Sequence, residues 1–528
     1  MKNKITYLLL LVLVSLSSCT DDFEQLNTNP YQITDESLEQ NFNHIGAFFP
    51  SLLKPIIGHQ THHNLINDSY VRHFGTPTPF VGGVNNTTYY IRWNDNYWNT
   101  LYNSIMAPSK QVIEVAEEGG YDMFVEWANL IRVVVASRAT AFYGPLIYSN
   151  YGTQGDVMYD SEEDLHNTFF TQLDKIVATF SANTEYAGFN NFDASYGGSV
   201  PHWIKLANSL RLQLAIRISK VAPALAKSQA EKAINDPGGL ITTNADNFMI
   251  DLYGTPFQEV TISFSWGDTR MSAAMESILG GYDDPRAGKY WDTVADASLV
   301  TDHPTFLFKG IRNGALLAAK GDRQSFSNVS SDFKTATKRK VLDAAEVHLM
   351  LAEAALRGWN VGSGTAAAHY EAGVKASFAY WGAGGVDTYL ANSTGTPLNY
   401  DDVAALGDIN DFTTRITNTV AWDEAASNEI KLEKIITQKW VASFTNSVES
   451  WVDHRRTGYP KLPYNYKNDS STSPFGTVAD DDFLRRHPFP QKESDNNPTG
   501  VADATAKLGG PNEIGTRLWW DTGVESNF

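Results

Sequence analysis

The residues best suited to chemistry in this sequence are aromatic side chains with polar neighbours. They lie where apolar residues follow neither a helical nor a strand period, which predicts loops. An aromatic ring offers a flat apolar surface to the C–H face of a sugar, while nearby polar groups meet its hydroxyls. The sequence therefore predicts ligand contacts from six rings, which are Tyr89, Tyr90, Trp93, Trp266, Tyr282 and Trp291.

Five polar side chains are expected to accompany these rings. Guanidinium, amide and carboxylate groups form the paired hydrogen bonds that sugar hydroxyls need. The alternative remains open that each ring fixes a long loop to the frame. The predicted polar companions are Arg72, Asn94, Asp95, Asp268 and Arg312.

Metal binding and acid–base catalysis receive little support. The sequence HQTHH at 59–63 places two imidazoles four residues apart, which resembles half of a zinc site. No glutamate lies between them, so the H-E-x-x-H pattern is missing. The acidic runs at 283–284 and 480–482 have no signature spacing for calcium or for a glycosidase pair. We therefore expect no metal, no other cofactor and no catalytic residue.

The N-terminus reads as an export signal. Residues 1–18 combine two early lysines with an apolar stretch at 5–16 that is too short to span a bilayer. The sequence LSSC at 16–19 is similar to a bacterial lipobox, and Cys19 is the only cysteine. A lone cysteine in an exported protein is otherwise a free thiol. We predict that residues 1–18 are removed and that Cys19 is acylated, followed by a tether that extends to residue 32.

Acyl chains on Cys19 would hold the protein at a membrane without a transmembrane helix, since each buried methylene contributes roughly 0.8 kcal/mol. The acidic residues Asp21, Asp22 and Glu24 resemble the signal that sends lipoproteins of the Bacteroidetes to the outer face of the cell. The sequence thus predicts a lipid-anchored outer-membrane protein that faces the exterior. A net charge of −19 argues against nucleic-acid binding and against adhesion to anionic lipid.

Helical periodicity dominates the chain after the tether. Between Trp203 and Val221, apolar side chains recur every three or four residues, and Asn208, Arg211 and Arg217 take the other face. This pattern predicts one amphipathic helix that ends near Pro223. The segment 344–380 predicts a helical hairpin, but no 34-residue repeat runs through the chain, which argues against a regular solenoid. Further helices are predicted over 98–117, 124–142, 162–180 and 429–444.

We expect one mainly helical domain over residues 33–528. Its scaffold lies mainly in two stretches, and the segments between them are rich in Gly, Pro, Asn and Asp and so predict long loops. Binding residues usually lie on loops that a rigid frame positions. The scaffold stretches are 97–235 and 341–460, the loops are 245–340, 381–428 and 460–528, and strand-like pieces occur at 260–266 and 305–309.

Four blocks carry a resemblance to a known family. They are WIKLANSLRLQLAIRISK at 203–220, EVHLMLAEAALRGW through YEAGVKASFAYW at 346–381, IITQKWVASFTNSVESWVDHRRTGYP at 435–460, and RRHPFPQKESDNN at 485–497. Together with the lipobox and FEQLNTNP at 23–30, these blocks resemble the SusD/RagB family, in particular its SusD-like branch of nutrient-binding lipoproteins. The resemblance covers essentially the whole chain in order.

The resemblance implies a SusD-like fold, in which four tetratricopeptide-like helical pairs support a loop-rich, partly irregular binding face. It also implies a noncatalytic protein that captures oligosaccharide, or in some members peptide. The implied partner is a SusC-like TonB-dependent transporter. The sequence departs from the family where GPLIYS stands at 144–149 and where Phe489 replaces a tyrosine, which puts local hydrogen bonds in question but not the fold.

One group of residues and two other functions need to be weighed against this interpretation. Trp440, Trp451, Arg455 and Arg456 are expected to hold the frame, because arginines near helix ends satisfy carbonyls and carboxylates. A surface glycoside hydrolase would need two carboxyl groups roughly 5 to 9.5 Å apart in a cleft. A peptide binder would favour an enclosed polar cavity.

Overall fold

The computed structural model describes residues 39–80, 83–301, 303–404, 407–524 and 526–528. The predicted signal segment, Cys19 and the tether lie outside these residues, so they remain predictions. The chain divides between Ala47 and Phe48 into two units. In the first unit, the described residues form a 3₁₀ turn, Gln40–Phe42, and a short helix, Asn43–Gly46. All that follows concerns the second unit, Phe48–Phe528.

Ten helices of ten or more residues are found in the described part of the second unit. None of the described helices is both long and apolar enough to cross a bilayer. The helices are α1 Ala107–Glu118, α2 Asp122–Tyr143, α3 Glu162–Ser181, α4 Val200–Arg217, α5 Pro223–Ile234, α6 Ala344–Leu356, α7 Ala366–Trp381, α8 Asn428–Ala442, α9 Val448–Thr457 and α10 Pro498–Leu508.

Successive scaffold helices pack against each other. The pairs are α1 with α2, α3 with α4, α6 with α7 and α8 with α9, and α2 also packs on α3 and α6 on α8. Helix α4 lies at the centre, because it contacts α2, α3, α5, α6 and α9. The predicted mainly helical fold with helical pairs is therefore confirmed.

The central position of α4 corrects two details of its prediction. The helix ends at Arg217, and Pro223 begins a separate helix, α5, where proline at the first helical position is favoured. The predicted polar face is also buried, with Arg211 and Arg217 each 1 % exposed. Arg217 donates to Glu449 of α9 at 2.8 Å, so this face is used for ion pairs inside the frame.

Four short strands accompany the helices. Strand β1, Phe74–Gly75, pairs antiparallel with β3, Arg270–Met271, and β2, Phe248–Asp251, pairs antiparallel with β4, Lys338–Leu342. The strand prediction for 305–309 is wrong, because these residues form no strand. The strand prediction for 260–266 is also wrong, since Gln258–Val260 is α-helical and Thr261–Trp266 is π-helical.

The remaining elements are short and lie mostly in the loops. A second π-helical stretch, Thr100–Met106, continues the helix Asn96–Asn99 into α1. The other short helices are Phe49–Leu53, Asn67–Tyr70, Ala273–Gly281, Ala287–Tyr290, Val386–Leu390 and Gln491–Asn496, and the 3₁₀ turns are Lys54–Ile57, Gln60–His62, Asn86–Thr88, Asn244–Asp246, Ala297–Val300, Lys320–Arg323, Ser331–Thr335, Gly407–Asn410 and Ser470–Thr472.

The predicted structural role of the third sequence block is confirmed. Trp440, Trp451, Arg455 and Arg456 are each no more than 2 % exposed. The Arg455 guanidinium lies 3.5 Å from the centre of the Trp451 ring and donates to the backbone oxygen of Ala141 at 2.8 Å. These side chains hold α8 and α9 to the frame and present no surface to a ligand.

Candidate ligand-binding site

Trp266 is the predicted ring that the structure exposes most clearly. It ends the π-helical stretch Thr261–Trp266, and its side chain is 47 % exposed. The next residue, Gly267, has a φ of +66°, which closes the helical turn. Lys320 donates from Nζ to the backbone oxygen of Trp266 at 2.6 Å. The backbone under the ring is therefore fixed while the ring itself faces solvent.

Asp268, one of the predicted polar companions, shares Lys320 with the backbone oxygen of Trp266, and its contact with a ligand stays a prediction. Its Oδ1 atom accepts from Lys320 Nζ at 2.5 Å and from the Thr78 hydroxyl at 2.9 Å. These contacts join three segments that are far apart in sequence. Trp266 and Asp268 are thus brought together, and both keep part of their surface open to solvent.

A cavity of about 600 Å³ opens beside Trp266. Its walls are largely apolar, with hydroxyl, amide and cationic groups interspersed. No carboxylate is found among the described residues that line it, although the chain carries a net charge of −19. The lining residues are Ser51, Lys54, Pro55, Ile57, Gly58, His59, His62, Thr100, Leu252, Thr255, Pro256, Gln258, Thr261, Trp266 and Arg339.

His62 provides a fixed, uncharged wall of this cavity. Its Nδ1 atom accepts from the backbone N–H of His59 at 3.1 Å, so Nε2 carries the proton and donates to the Thr100 hydroxyl at 2.9 Å. Burial, together with the nearby His59, lowers the pKa of His62 to about 4. The ring is therefore neutral at ordinary pH and keeps this orientation.

A second exposed ring, Tyr466, was not predicted. Its side chain is 48 % exposed, and the Arg312 guanidinium lies 5.9 Å from the ring centre. Arg312 uses its donors on backbone, reaching Asp411 at 2.7 Å and Tyr464 at 2.9 Å. Arg312 thus holds these loops, and its contact with a ligand stays a prediction. Tyr466 stands among polar residues in PYNYKND, so the rule that selected Trp266 would also have found it.

Four predicted contact residues are corrected, because the structure buries them. Tyr89, Tyr282, Trp291 and Arg72 are at most 2 % exposed. Arg72 donates to the Tyr89 hydroxyl at 3.0 Å, and the Tyr282 hydroxyl donates to the backbone oxygen of Asn418 at 2.9 Å. The polar groups of Arg72, Tyr89 and Tyr282 find partners in the interior. All four buried side chains therefore pin loops to the frame and leave no face for a ligand.

The remaining predicted residues lie together, away from the cavity beside Trp266. Tyr90, Trp93, Asn94 and Asp95 are half-buried, and none of them lines that cavity. The Asn94 amide donates to the backbone oxygen of Pro488 at 3.3 Å, and Asp95 accepts from the Asn99 amide at 3.1 Å. Contact of these four side chains with a ligand stays a prediction.

The histidine motif contributes to a buried polar cluster. Donor atoms of His63, Asp68 and Glu259 lie within 4.8 Å of one another. Arg339 already donates to both oxygens of Glu259, at 2.7 and 3.1 Å, and to His63 Nδ1 at 3.1 Å. His63 Nε2 faces the backbone oxygen of Ile57 at 2.6 Å, so neither ring nitrogen keeps a lone pair for a metal. The cluster does not fit a metal ion.

Asp68 gives this cluster a pH dependence. Burial, reinforced by the charge of Glu259, raises its pKa to about 7. A carboxyl with a raised folded-state pKa binds its proton more tightly when folded, so stability falls as pH rises from about 4 to about 7. We expect Asp68→Asn to stabilise the protein more at pH 8 than at pH 5, with a difference on the order of 1–2 kcal/mol.

Urea unfolding at pH 5 and pH 8 measures this effect. Asp387→Asn is the matched control, because the Asp387 carboxylate is 90 % exposed. An equal effect of Asp68→Asn at both pH values would show that Asp68 does not titrate in this range.

Comparison with known proteins agrees with this architecture. The family model of SusD-like proteins, described as SusD and RagB outer membrane lipoproteins, matches residues 25–521. A search of curated proteins found no match. A chitin-binding SusD homologue from Flavobacterium johnsoniae is 40 % identical, with 91 % of this chain and 99 % of that one covered and a TM-score of 0.85.

Two further solved structures are similar over their whole length. A SusD homologue from Bacteroides vulgatus is 34 % identical, covers 92 % of this chain and 100 % of its own, and has a TM-score of 0.84. A SusD-like protein from Bacteroides thetaiotaomicron is 27 % identical, covers 90 % and 98 %, and has a TM-score of 0.82. Because the family model spans nearly all of the sequence, the chain belongs to the SusD-like family of SusD and RagB outer membrane lipoproteins.

Proposed function

We propose that the protein is a noncatalytic, lipid-anchored receptor that binds oligosaccharide at the cell surface and delivers it to a SusC-like TonB-dependent transporter. The observation that carries the proposal is the exposed Trp266 ring at the edge of a cavity of about 600 Å³ with largely apolar walls. A sugar stacks its C–H face on such a ring, and the hydroxyls of Thr100, Thr255 and Thr261 offer hydrogen bonds to its edges.

Acetamido sugars are the ligand class that we favour. The similar protein from Flavobacterium johnsoniae is described as chitin-binding. An acetamido methyl group needs an apolar contact, and Ile57, Leu252 and Pro256 line the cavity.

The two alternative functions find less support. A glycoside hydrolase needs two facing carboxyl groups, and none lines the cavity among the described residues. Of the acidic runs in the sequence, Asp284 is fully buried and paired with Arg286 at 2.6 Å. A peptide binder would favour an enclosed polar cavity, whereas the walls of this cavity are largely apolar. Peptide binding remains the second candidate.

Delivery to a transporter requires a complex in the outer membrane. We expect the protein, extracted with mild detergent, to co-purify with a large β-barrel transporter. Recovery of the protein alone, with its acyl chains intact by mass spectrometry, would contradict the delivery role without affecting the binding role.

Trp266→Ala is expected to weaken oligosaccharide binding at least fivefold, because a stacked ring contributes about 1 kcal/mol or more. Calorimetry with chitin oligosaccharides on the full chain measures the change. Phe48→Ala is the control, since the Phe48 ring is similarly exposed, at 49 %, and lies outside the cavity lining. Unchanged affinity in Trp266→Ala, with binding intact, would rule out this site.

A further inference from the structure

A second, smaller cavity of about 250 Å³ lies between three elements that the proposed function does not use. The helical stretch Asn96–Met106 forms one side, the loop 147–157 forms another, and the helix Gln491–Asn496 closes the third. The stretch Asn96–Met106 also borders the first cavity through Thr100, but the two cavities share no lining residue. They are therefore separate spaces.

Three aromatic rings shape this second cavity. Tyr102 and Tyr151 lie nearly parallel, with ring centres 5.9 Å apart and planes at 20°, and Trp98 is tilted against Tyr102 at 4.8 Å. The Tyr102 hydroxyl accepts from the backbone N–H of Ile147 at 2.9 Å. Trp98 is 2 % exposed. These contacts fix the positions of the three rings, which together form an apolar surface.

Hydrogen bonds within the protein orient the polar groups that line the same cavity. The carboxylate of Glu493 accepts from Trp98 Nε1 at 2.9 Å and from the Tyr159 hydroxyl at 3.2 Å. Each carboxylate oxygen has lone pairs beyond these single bonds. Lys492 donates to the Asn99 side chain and has further N–H donors. Acceptors and donors therefore face one space from fixed positions.

Two further lining groups are not satisfied within the protein. The Asn103 amide and the Tyr151 hydroxyl have no hydrogen-bond partner in the described part of the chain, and both side chains retain exposure. An amide supplies two donors and an acceptor, and a phenol supplies one donor and an acceptor. A ligand with several neutral hydroxyl groups matches this set.

We propose that this cavity is a second saccharide site, which binds a single neutral pyranose ring. The opposite charges of Lys492 and Glu493 balance, so the lining favours neither an anion nor a cation. The volume is below the roughly 300–1,000 Å³ of pockets for drug-sized ligands, which limits the occupant to about one sugar ring. The proposal rests on the proposed function, because it assumes that glycans reach this protein.

Saturation-transfer NMR on the full chain tests the proposal, with N-acetylglucosamine, glucose, galactose and mannose as separate probes. At least one of these monosaccharides should receive saturation from the protein. Tyr151→Ala and Asn103→Ala should each weaken that binding at least threefold. Tyr151→Phe, which keeps the ring and loses the hydroxyl, should lie between Tyr151→Ala and the parent chain. Asn496→Ala, an exposed amide on the helix Gln491–Asn496 outside the lining, should change nothing.

The outcomes separate this site from the one beside Trp266. Monosaccharide binding that survives Tyr151→Ala and Asn103→Ala but is lost in Trp266→Ala would overturn the second site and leave the proposed function intact. Binding of none of the four monosaccharides would also overturn it. Loss of monosaccharide binding in Tyr151→Ala, with an unchanged unfolding temperature, would support it even if Trp266→Ala had no effect on oligosaccharides.

Discussion

Arg286→Met will destabilise the protein by about 3–5 kcal/mol, because it leaves a buried carboxylate without its counter-ion. Arg286 and Asp284 both have fully buried side chains and meet at 2.6 Å. Arg286 also donates to the Ser377 hydroxyl and the Gln438 amide oxygen, both at 2.9 Å. It thereby ties the loop after Ala273–Gly281 to the scaffold helices α7 and α8, and methionine can replace its volume but not these bonds.

Guanidinium chloride unfolding measures this cost. The double variant Arg286→Met with Asp284→Asn should recover part of the loss, since it removes the stranded charge as well. Lys110→Met is the exposed comparison, because Lys110 and Glu114 are 46 % and 53 % exposed and their pair is worth about 0–1 kcal/mol. Similar losses in Arg286→Met and Lys110→Met would contradict the argument.

Trp291→Ala is the second variant with a large expected effect, about 3–5 kcal/mol of lost stability. Trp291 is 1 % exposed and packs against Phe74 at 5.1 Å and Phe444 at 5.0 Å between ring centres. Its removal leaves a cavity where two loops meet the frame. Its indole N–H has no partner within the described residues, so Trp291→Phe loses no hydrogen bond and should cost less than half as much.

Thermal and chemical unfolding check this prediction, and Trp266→Ala supplies the contrast. Both tryptophans were predicted as ligand contacts from the sequence, but their variants should behave differently. Trp266→Ala should weaken ligand binding, whereas Trp291→Ala should lower the stability of the fold. A stability loss below about 1 kcal/mol in Trp291→Ala would mean that the ring is not a core residue.

The helical frame could be predicted because its apolar residues recur at a regular period along the sequence. The stretch that became α2 was predicted to within two residues at its start and one at its end, since a buried helix must repeat its apolar side chains every three or four positions. The π-helical stretch Thr261–Trp266 was missed because its β-branched and aromatic residues favour a strand locally. Contacts with distant segments decide its conformation.

The candidate site was only partly predictable for a similar reason. Trp266 and Tyr282 both stand beside Gly and Asp residues, yet one is exposed and the other is buried. Exposure depends on which other loop packs against a ring, and that packing involves residues more than a hundred positions away, such as Asn418, whose backbone oxygen accepts from the Tyr282 hydroxyl. The local sequence can identify a candidate aromatic residue, but the packing of the loops around it determines whether its ring is exposed.

The π-helical stretch under Trp266 also bears on how loop length can vary among related chains. A π-helical turn holds about one residue more than an α-helical turn. Loss of a single residue from Thr261–Trp266 would restore the tighter winding, in which four steps of about 100° cover nearly the same angle as five π-helical steps. The indole would therefore keep its direction around the helix axis, so one small deletion shortens this segment without turning the ring away from the cavity.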